Sequence, residues 1–254
     1  MGLRFLWIMI GSVGREPLWM NGAGICVLLL GATLELRDIY LDSEALDTFD
    51  NLRIVGVPQE RSGPLRFGLA ISYDDMYGWR IWTSSLIGLL WTHLSAPEMR
   101  VVGWDVLAVD LPMIAHVVQA QKMPTALDLS AQIRAATARA YKLDTVARAN
   151  LGRGKVMDTV TVIEWLRLGD SVSMSKATEY CRNKLQLVID LYKLIKQGQP
   201  LVLPGRLRPA EALVRRDEET LRVWFSPQGE WARCEDTKGH VLSERQQPGV
   251  PADL

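Results

Sequence analysis

The clearest strand signal in this chain is an alternation of apolar and polar residues over residues 37–44. Ile39 and Leu41 alternate with polar neighbours, and successive side chains of a strand point to opposite faces. Asp42 and Glu44 therefore share a face at the end of this strand. Two such carboxylates repel each other unless a cation lies between them, and hard divalent ions such as Mg²⁺ prefer oxygen ligands. The pair predicts either a cation site or a solvated strand end.

The segment after this strand predicts a β-hairpin and then a helix. Two β-prone runs, residues 65–73 and 79–83, flank an Asp- and Gly-rich loop of five residues, which is typical of a hairpin. The sheet thus begins with three antiparallel strands. Leucines at helical spacing over residues 85–94 predict a helix that a serine caps and that packs on this sheet.

A third candidate carboxylate stands at a predicted helix start. A short apolar strand begins at Val101 and is followed by Asp110-Leu111-Pro112, and proline is tolerated only in the first turn of a helix. This places Asp110 at or beside the N-cap. As a simple cap it would contribute about 1 kcal/mol to stability, and that interpretation stays open beside a role in a cation site.

The remainder of the chain is mainly helical by its periodicity. Amphipathic stretches predict helices over residues 129–140, 143–151, 160–168 and 175–196. One further strand is predicted at residues 220–225, and the tail after Pro248 is predicted to be disordered. The resulting fold class is a mixed α/β domain, in which three antiparallel strands are continued by parallel strands and helices lie on both faces of the sheet.

Three segments divide the 254 residues. Residues 1–36 form an apolar N-terminal extension, residues 37–203 the main domain, and residues 204–254 a C-terminal strand and tail. The apolar runs of the extension are shorter than the roughly 18 residues that a membrane span needs, and we expect neither a span nor an export signal. Three widely spaced cysteines without a Cys-x-x-Cys pair indicate a reducing cytoplasm and argue against a zinc site.

A net charge of zero hides two patches of opposite sign. Residues 35–50 contain six acids and one base, residues 131–155 six bases and one acid. An acidic cluster for a metal ion beside a basic surface for phosphate would suit a site that cleaves nucleic acid, and a solvated helical face is the alternative. The basic residues that we predict to contact nucleic acid are Arg139, Lys142, Arg148, Arg153 and Lys155.

Three short motifs lie within residues 37–203. The first is the Asp-x-Glu of Asp42 and Glu44, and the second runs from Val102-Gly103-Trp104-Asp105 to Asp110-Leu111-Pro112. The third begins with Tyr180-Cys181 and ends at Lys184. Together they resemble the motifs of the RNase H-like, DEDD-type 3′–5′ exonuclease superfamily, to which proofreading exonuclease domains belong. Residues 143–155 are similar to the segment that precedes the third motif in bacterial members.

The resemblance implies an RNase H-like fold and a nuclease that acts on the 3′ ends of DNA or RNA. Such enzymes use two Mg²⁺ or Mn²⁺ ions that four carboxylates hold. By this resemblance Asp42, Glu44 and Asp110 are catalytic residues and metal ligands, and Tyr180 orients the attacking water.

Lys184 departs from the family's pattern, because it stands where the last metal-binding Asp is expected. The exchange changes the local charge by two units, and a cation about 4 Å from a divalent ion costs several kcal/mol even at an effective dielectric near 20. We therefore expect hydrolysis to be weakened or lost, with the ammonium paired with Asp42 or Asp110 in the place of a metal ion. Asp105, where the family usually has Asn, adds a carboxylate that would partly offset Lys184 as a further ligand.

Three functions remain open on the sequence alone. The first is a metal-dependent 3′–5′ exonuclease that is active despite Lys184. The second is a non-catalytic descendant that keeps the fold and binds a nucleic-acid end or a protein partner. The third, a peripheral membrane or assembly protein, would use the apolar residues 1–36.

Overall fold

The structure, a computed structural model, describes residues 36–46, 66–205 and 220–245. Nearly all of the predicted N-terminal extension and the tail after Pro248 lie outside these ranges. Among the described helices, none is long and apolar enough to cross a membrane. The division of the chain into three segments stays a prediction.

A mixed sheet of five strands forms the framework of the described domain. Its strands are β1 (Arg37–Ala45), β2 (Phe67–Asp74), β3 (Gly78–Trp82), β4 (Met99–Gly103) and β5 (Ala126–Asp128). They lie in the order β3-β2-β1-β4-β5. β2 pairs antiparallel with β1 and β3, whereas β4 pairs parallel with β1 and β5. The predicted continuation of three antiparallel strands by parallel strands is confirmed.

Six α-helices lie within the described ranges, close to their predicted positions. They are α1 (Ile87–Leu94), α2 (Leu111–Val118), α3 (Leu129–Thr137), α4 (Leu143–Leu151), α5 (Thr159–Leu168) and α6 (Ser171–Lys196). A π-helical turn, Val106–Asp110, leads into α2. The predicted serine cap is wrong, because a 3₁₀ turn, Ser84–Leu86, precedes α1 and no side chain caps either element.

The alternation along β1 separates the core into two parts. Ile39 and Leu41 are buried and pack with residues of α1 and α2 on one face of the sheet. Leu69 and Ile71 of β2 belong to the other part, which includes residues of α3, α4, α5 and α6. Helices therefore lie on both faces of the sheet, and the predicted fold class is confirmed.

A second, antiparallel sheet occupies the C-terminal part of the described chain. Its strands, in sheet order, are β6 (Leu201–Leu203), β7 (Leu221–Phe225), β8 (Trp231–Glu235) and β9 (Val241–Glu244). The sequence predicts β7 and misses the other three, because these short strands lack a clear period of two. β6 pairs with β7 across the predicted boundary after residue 203.

The turn between β7 and β8 anchors the second sheet to the first. Arg100 of β4 donates hydrogen bonds to the carbonyl of Gln228 and to the hydroxyl of Tyr192, each at 2.7 Å. Gly229 has a φ of +85°, and a Cβ placed there would lie 2.5 Å from Leu127 and 2.8 Å from Tyr192. Glycine is required here by both the left-handed backbone and the close approach.

We expect Gly229→Ala to destabilise the fold by about 1–3 kcal/mol more than Gly239→Ala. Gly239 is the matched control, because it shares a positive φ of +82° but a Cβ there meets no atom within 4 Å. Both variants therefore carry similar backbone strain, and the difference reports the packing of the turn. Urea unfolding of the parent and both variants measures it, and equal midpoints for the two variants would contradict the close approach.

Candidate functional site

Two buried carboxylates of β1 face helix α6. Asp42 and Glu44 are each 4% exposed, and the alternation of the strand sends both to the same face. Lys184 of α6 lies between them, with its Nζ 2.8 Å from Asp42 Oδ1 and 2.7 Å from Glu44 Oε1. These are the lengths of charge-assisted hydrogen bonds. The ammonium thus occupies the position between the two carboxylates where the sequence predicts a cation.

Asp110 reaches β1 from the π-helical turn before α2. The paired residues of β1 and β4 end at Tyr40 and Val102, and further along β1 the backbone N–H of Ser43 donates to Asp110 Oδ1 at 2.8 Å. The Ser43 hydroxyl donates to the same oxygen. Asp110 occupies the N-cap position of α2, but its side chain makes no capping hydrogen bond. The interpretation of Asp110 as a simple cap is therefore wrong.

Burial sets the protonation of these groups. It raises the pKa of Asp110 to about 8, with a further contribution from Asp42, and it raises the pKa of Asp42 to about 6 against the opposing effect of Lys184. Burial alone would lower the pKa of Lys184, but the charges of Asp42 and Glu44 outweigh it and hold this pKa well above its ordinary value. At neutral pH, Lys184 is therefore an ammonium and Asp110 retains its proton.

Tyr180 and an unpaired carboxylate oxygen of Asp42 complete the cluster. Tyr180 lies one turn before Lys184 on the same side of α6, and it is 2% exposed. Burial raises its pKa to about 12, so that the phenol is neutral. Asp42 Oδ2 is buried without a hydrogen-bond partner among the described residues. The structure thus brings together Asp42, Glu44, Asp110 and Tyr180, with Lys184 among them.

This arrangement does not fit the divalent ions that the resemblance implies. One donor atom each of Asp42, Glu44 and Cys181 lie within 4.8 Å of one another, which makes them a candidate metal cluster. However, the Lys184 ammonium already contacts both carboxylates, and burial raises the pKa of the Cys181 thiol well above its usual range. A divalent ion would have to displace the ammonium, and the neutral thiol is a poor ligand.

Asp105 lies in a different environment from the cluster. Its backbone is left-handed with a φ of +59°, its side chain is 40% exposed, and its carboxylate lies 3.8 Å from the guanidinium of Arg134. Its backbone N–H donates to the buried carboxylate of Asp128 at 3.0 Å. These contacts give no support to the predicted role of Asp105 as a metal ligand or as a counter-charge to Lys184.

Ion pairs neutralise part of the predicted basic surface. Arg148 pairs with Asp144 at 2.9 Å, and Arg153 pairs with an aspartate of α6. Arg139 and Lys142 are exposed, and neither forms an ion pair within 4 Å in the part of the chain that the structure describes. The sequence count therefore overstates the charge that this surface offers to a ligand.

A constrained loop holds Lys155 near the cluster. Its backbone N–H donates to Asp144 Oδ1 at 2.7 Å, and a Cβ on Gly154 would collide with that carboxylate and with Arg148. Burial and the charge of Lys184 lower the pKa of Lys155, whereas the two β1 carboxylates oppose this effect. The sequence signals the loop only as a turn, because folding alone brings Asp144 and Lys155, 11 positions apart, into contact. The hydrogen bonds from Ser43 to Asp110 are not predicted for the same reason, since 67 positions separate these residues.

No protein-family model and no curated protein matches this sequence. Several solved structures share part of its chain path. The family B DNA polymerase from the archaeon Pyrobaculum calidifontis has a TM-score of 0.45 and 14% identity, covering 63% of this chain and 25% of its own. Escherichia coli RNase D, an exoribonuclease, has a TM-score of 0.37 and 16% identity, covering 66% and 43%.

A third similar structure is E. coli Exonuclease I in complex with a dT13 oligonucleotide. Its TM-score is 0.35 at 11% identity, covering 75% of this chain and 52% of its own. Two of these three proteins are exonucleases. This chain spans between about a quarter and about half of the length of the three proteins.

The pKa of Asp110 predicts a pH dependence of stability. Because the folded value of about 8 lies above the ordinary value of 3.8, the folded state binds a proton that the unfolded state releases. The free energy of unfolding should therefore fall as the pH rises from about 4 to about 8. Asp110→Asn removes this proton and should reduce the decrease by an amount on the order of a few kcal/mol. Urea unfolding across this pH range measures it, and parallel curves for parent and variant would show that another group is responsible.

Proposed function

We propose that this protein is an exonuclease-like protein that binds the 3′ ends of nucleic acids and in which phosphodiester hydrolysis is weakened or lost. One observation carries the proposal. The side chains of three separate motifs converge on one buried position, and the cation at that position is Lys184, in contact with Asp42 and Glu44. The convergence supports an exonuclease-like site, and the ammonium supports the loss of hydrolysis.

The convergence joins parts of the chain that have no local relation to one another. Asp42 and Glu44 come from β1, Asp110 from the turn before α2, and Tyr180 from α6. Buried carboxylates and a buried phenol are costly unless they are paired or serve a function. The motif resemblance implies the same residue types for hydrolysis at a 3′ end. Their meeting in one buried cluster supports an exonuclease ancestry more strongly than the motifs alone.

Lys184 opposes the two-ion chemistry that the lineage implies. That chemistry needs carboxylates that are free to bind divalent ions, and here the ammonium holds both carboxylates of β1. An ammonium about 4 Å from a divalent ion costs several kcal/mol even at an effective dielectric near 20. Asp110 holds a proton at neutral pH and would have to release it before it could bind an ion. We therefore assign Mg²⁺ or Mn²⁺ only to residual hydrolysis.

We expect Asp42→Ala to abolish any residual trimming of 3′ ends and Lys184→Asp to raise it at least tenfold, since replacing the ammonium by a carboxylate changes the local charge by two units and lowers the barrier by more than about 1.4 kcal/mol. Degradation of end-labelled single-stranded DNA and RNA in Mg²⁺ and in Mn²⁺ measures both. Glu179→Ala, which removes an exposed carboxylate of α6, is the control and should leave trimming unchanged. No increase with Lys184→Asp would contradict the role given to Lys184.

Exposed cations of the described chain support nucleic acid as the ligand. Lys155 is held near the cluster by the Gly154 loop. Two exposed cations lie between α3 and α4, namely Arg139 and Lys142, the N-cap residue of α4. Arg148 could contact a phosphate only if the phosphate displaced Asp144. Arg153 could do so only if the phosphate displaced its own partner, an aspartate of α6. The free cations are therefore the stronger candidates for phosphate contacts.

We expect binding of a 3′-ended single strand to weaken steeply with salt, because each phosphate contact releases condensed counterions. Arg139→Ala and Lys142→Ala should each reduce the slope of log affinity against log salt by about 0.7. Lys122→Ala, a basic residue outside the predicted surface, is the control. Fluorescence anisotropy with a labelled oligonucleotide measures the slopes, and a flat salt response of the parent would remove nucleic acid as the partner.

The alternative function is a retained fold that only holds nucleic-acid ends or binds a protein partner. Tight, salt-sensitive binding without trimming in any metal would select it. A cytoplasmic location is also proposed. The two described cysteines, Cys181 and Cys234, are buried and form no disulfide, which agrees with a reducing compartment. The hypothesis of a peripheral membrane protein depends on residues 1–36, which lie almost wholly outside the described ranges.

A further inference from the structure

Lys184 stands at the position of one expected metal ligand, and its ammonium also lies between two carboxylates, where a metal ion would be expected. We infer that its ammonium is a resident counter-cation that holds α6 against β1, so that the site is assembled without divalent ions and excludes them. This inference rests on the proposed function, because it concerns the same cluster. It goes further in stating what keeps the cluster together and in predicting that the stability of the fold does not depend on metal.

The contacts of Lys184 satisfy the carboxylates that a metal ion would otherwise join. Its Nζ bridges Asp42 Oδ1 and Glu44 Oε1 at 2.8 and 2.7 Å, and its side chain is only 17% exposed. A buried ion pair of this kind is weak evidence for stability relative to an apolar core, but removal of one partner leaves the other charge buried and unpaired. Loss of the ammonium would therefore drive β1 and α6 apart or draw in another cation.

The same two elements make further contacts that align with this one. Lys196 Nζ lies 3.4 Å from Asp38 Oδ2, and the rings of Tyr192 and Tyr40 lie 6.0 Å apart between centroids. Tyr192 and Lys196, four positions apart, lie on one side of α6, and alternate residues lie on one face of a strand. Lys184 is thus the buried member of a row of contacts, whereas Lys196, whose side chain is 47% exposed, is the solvated member.

The exposed lysine supplies a matched control. Both side chains pair with carboxylates of β1. Lys184 bridges two of them from a buried position, whereas Lys196 is exposed and lies 3.4 Å from one carboxylate that Arg100 also binds. An exposed ion pair contributes little because water and salt screen it, so that the same substitution at the two positions separates a buried counter-cation from a general loss of charge on α6.

The experiment uses the full chain in the absence of nucleic acid. Thermal unfolding is followed in chelator and with added Mn²⁺, and Mn²⁺ binding is measured by calorimetric titration, for the parent, Lys184→Met, Lys184→Asp and Lys196→Met. We expect the parent to melt at the same temperature in both solutions and to give no saturable binding heat. Lys184→Met should melt lower with or without Mn²⁺. Lys184→Asp should melt lower in chelator, recover with Mn²⁺ and bind it saturably, while Lys196→Met should stay close to the parent.

Saturable Mn²⁺ binding by the parent, with a rise in melting temperature like that of Lys184→Asp, would overturn the inference, because the lysine would then move aside for the ion. A Lys184→Met variant as stable as the parent would overturn it as well. If both Lys184 variants fail to fold, the titration of the parent decides the question. The melting and titration experiments contain no substrate. If they contradict the counter-cation role of Lys184, the proposed action on 3′ ends is still judged by the trimming and binding assays. If those assays fail, the counter-cation role of Lys184 is unaffected.

Discussion

The contact of one ammonium with two buried carboxylates is the interaction on which this structure depends. Lys184 joins α6, the longest described helix, to β1, a central strand of the first sheet. Without a cation between Asp42 and Glu44, their like charges would oppose the burial that the surrounding core enforces. The contact therefore links the packing of the domain to the chemistry of its site, and one residue decides both.

The remaining geometry of the site follows from the strand that carries these carboxylates. The alternation of β1 sends Ile39 and Leu41 to one core and the two carboxylates to the face that α6 covers. The paired residues of β1 and β4 end at Tyr40 and Val102, so that the next part of β1 is open to the turn before α2. Asp110 binds the backbone and hydroxyl of Ser43 there. Three carboxylates thus gather because strands of unequal length end at different levels.

The electrostatics of this site favour a held proton and a held ammonium over a pair of metal ions. Asp110 retains its proton at neutral pH because it is buried and lies near Asp42. Lys155, placed by a loop in which Gly154 allows a close approach to Asp144, adds a second cation nearby. The ammonium holds the carboxylates of β1, whereas two-ion hydrolysis requires carboxylates that are free to bind metal ions.

The sequence by itself determined the elements with a clear local period. The alternation at residues 37–44 and the loop at residues 74–78 predict the first three strands, and the three- and four-residue spacing predicts the long α6. The short strands β8 and β9 could not be predicted in this way, because their formation depends on pairing with neighbouring strands and not on their own alternation of apolar and polar residues. The fold class followed from the order of elements and the motif resemblance.

Which charges meet was decided by tertiary structure alone. Lys184 and Glu44 are 140 positions apart, Asp105 pairs with Arg134 and not with the cluster, and the cation of Arg148 is committed to Asp144. A sequence shows which charged residues exist and which face of an element they occupy. The partner of each charge depends on how helices pack on the sheet, because Coulomb energy and burial vary with distances of a few ångströms that only the folded chain defines.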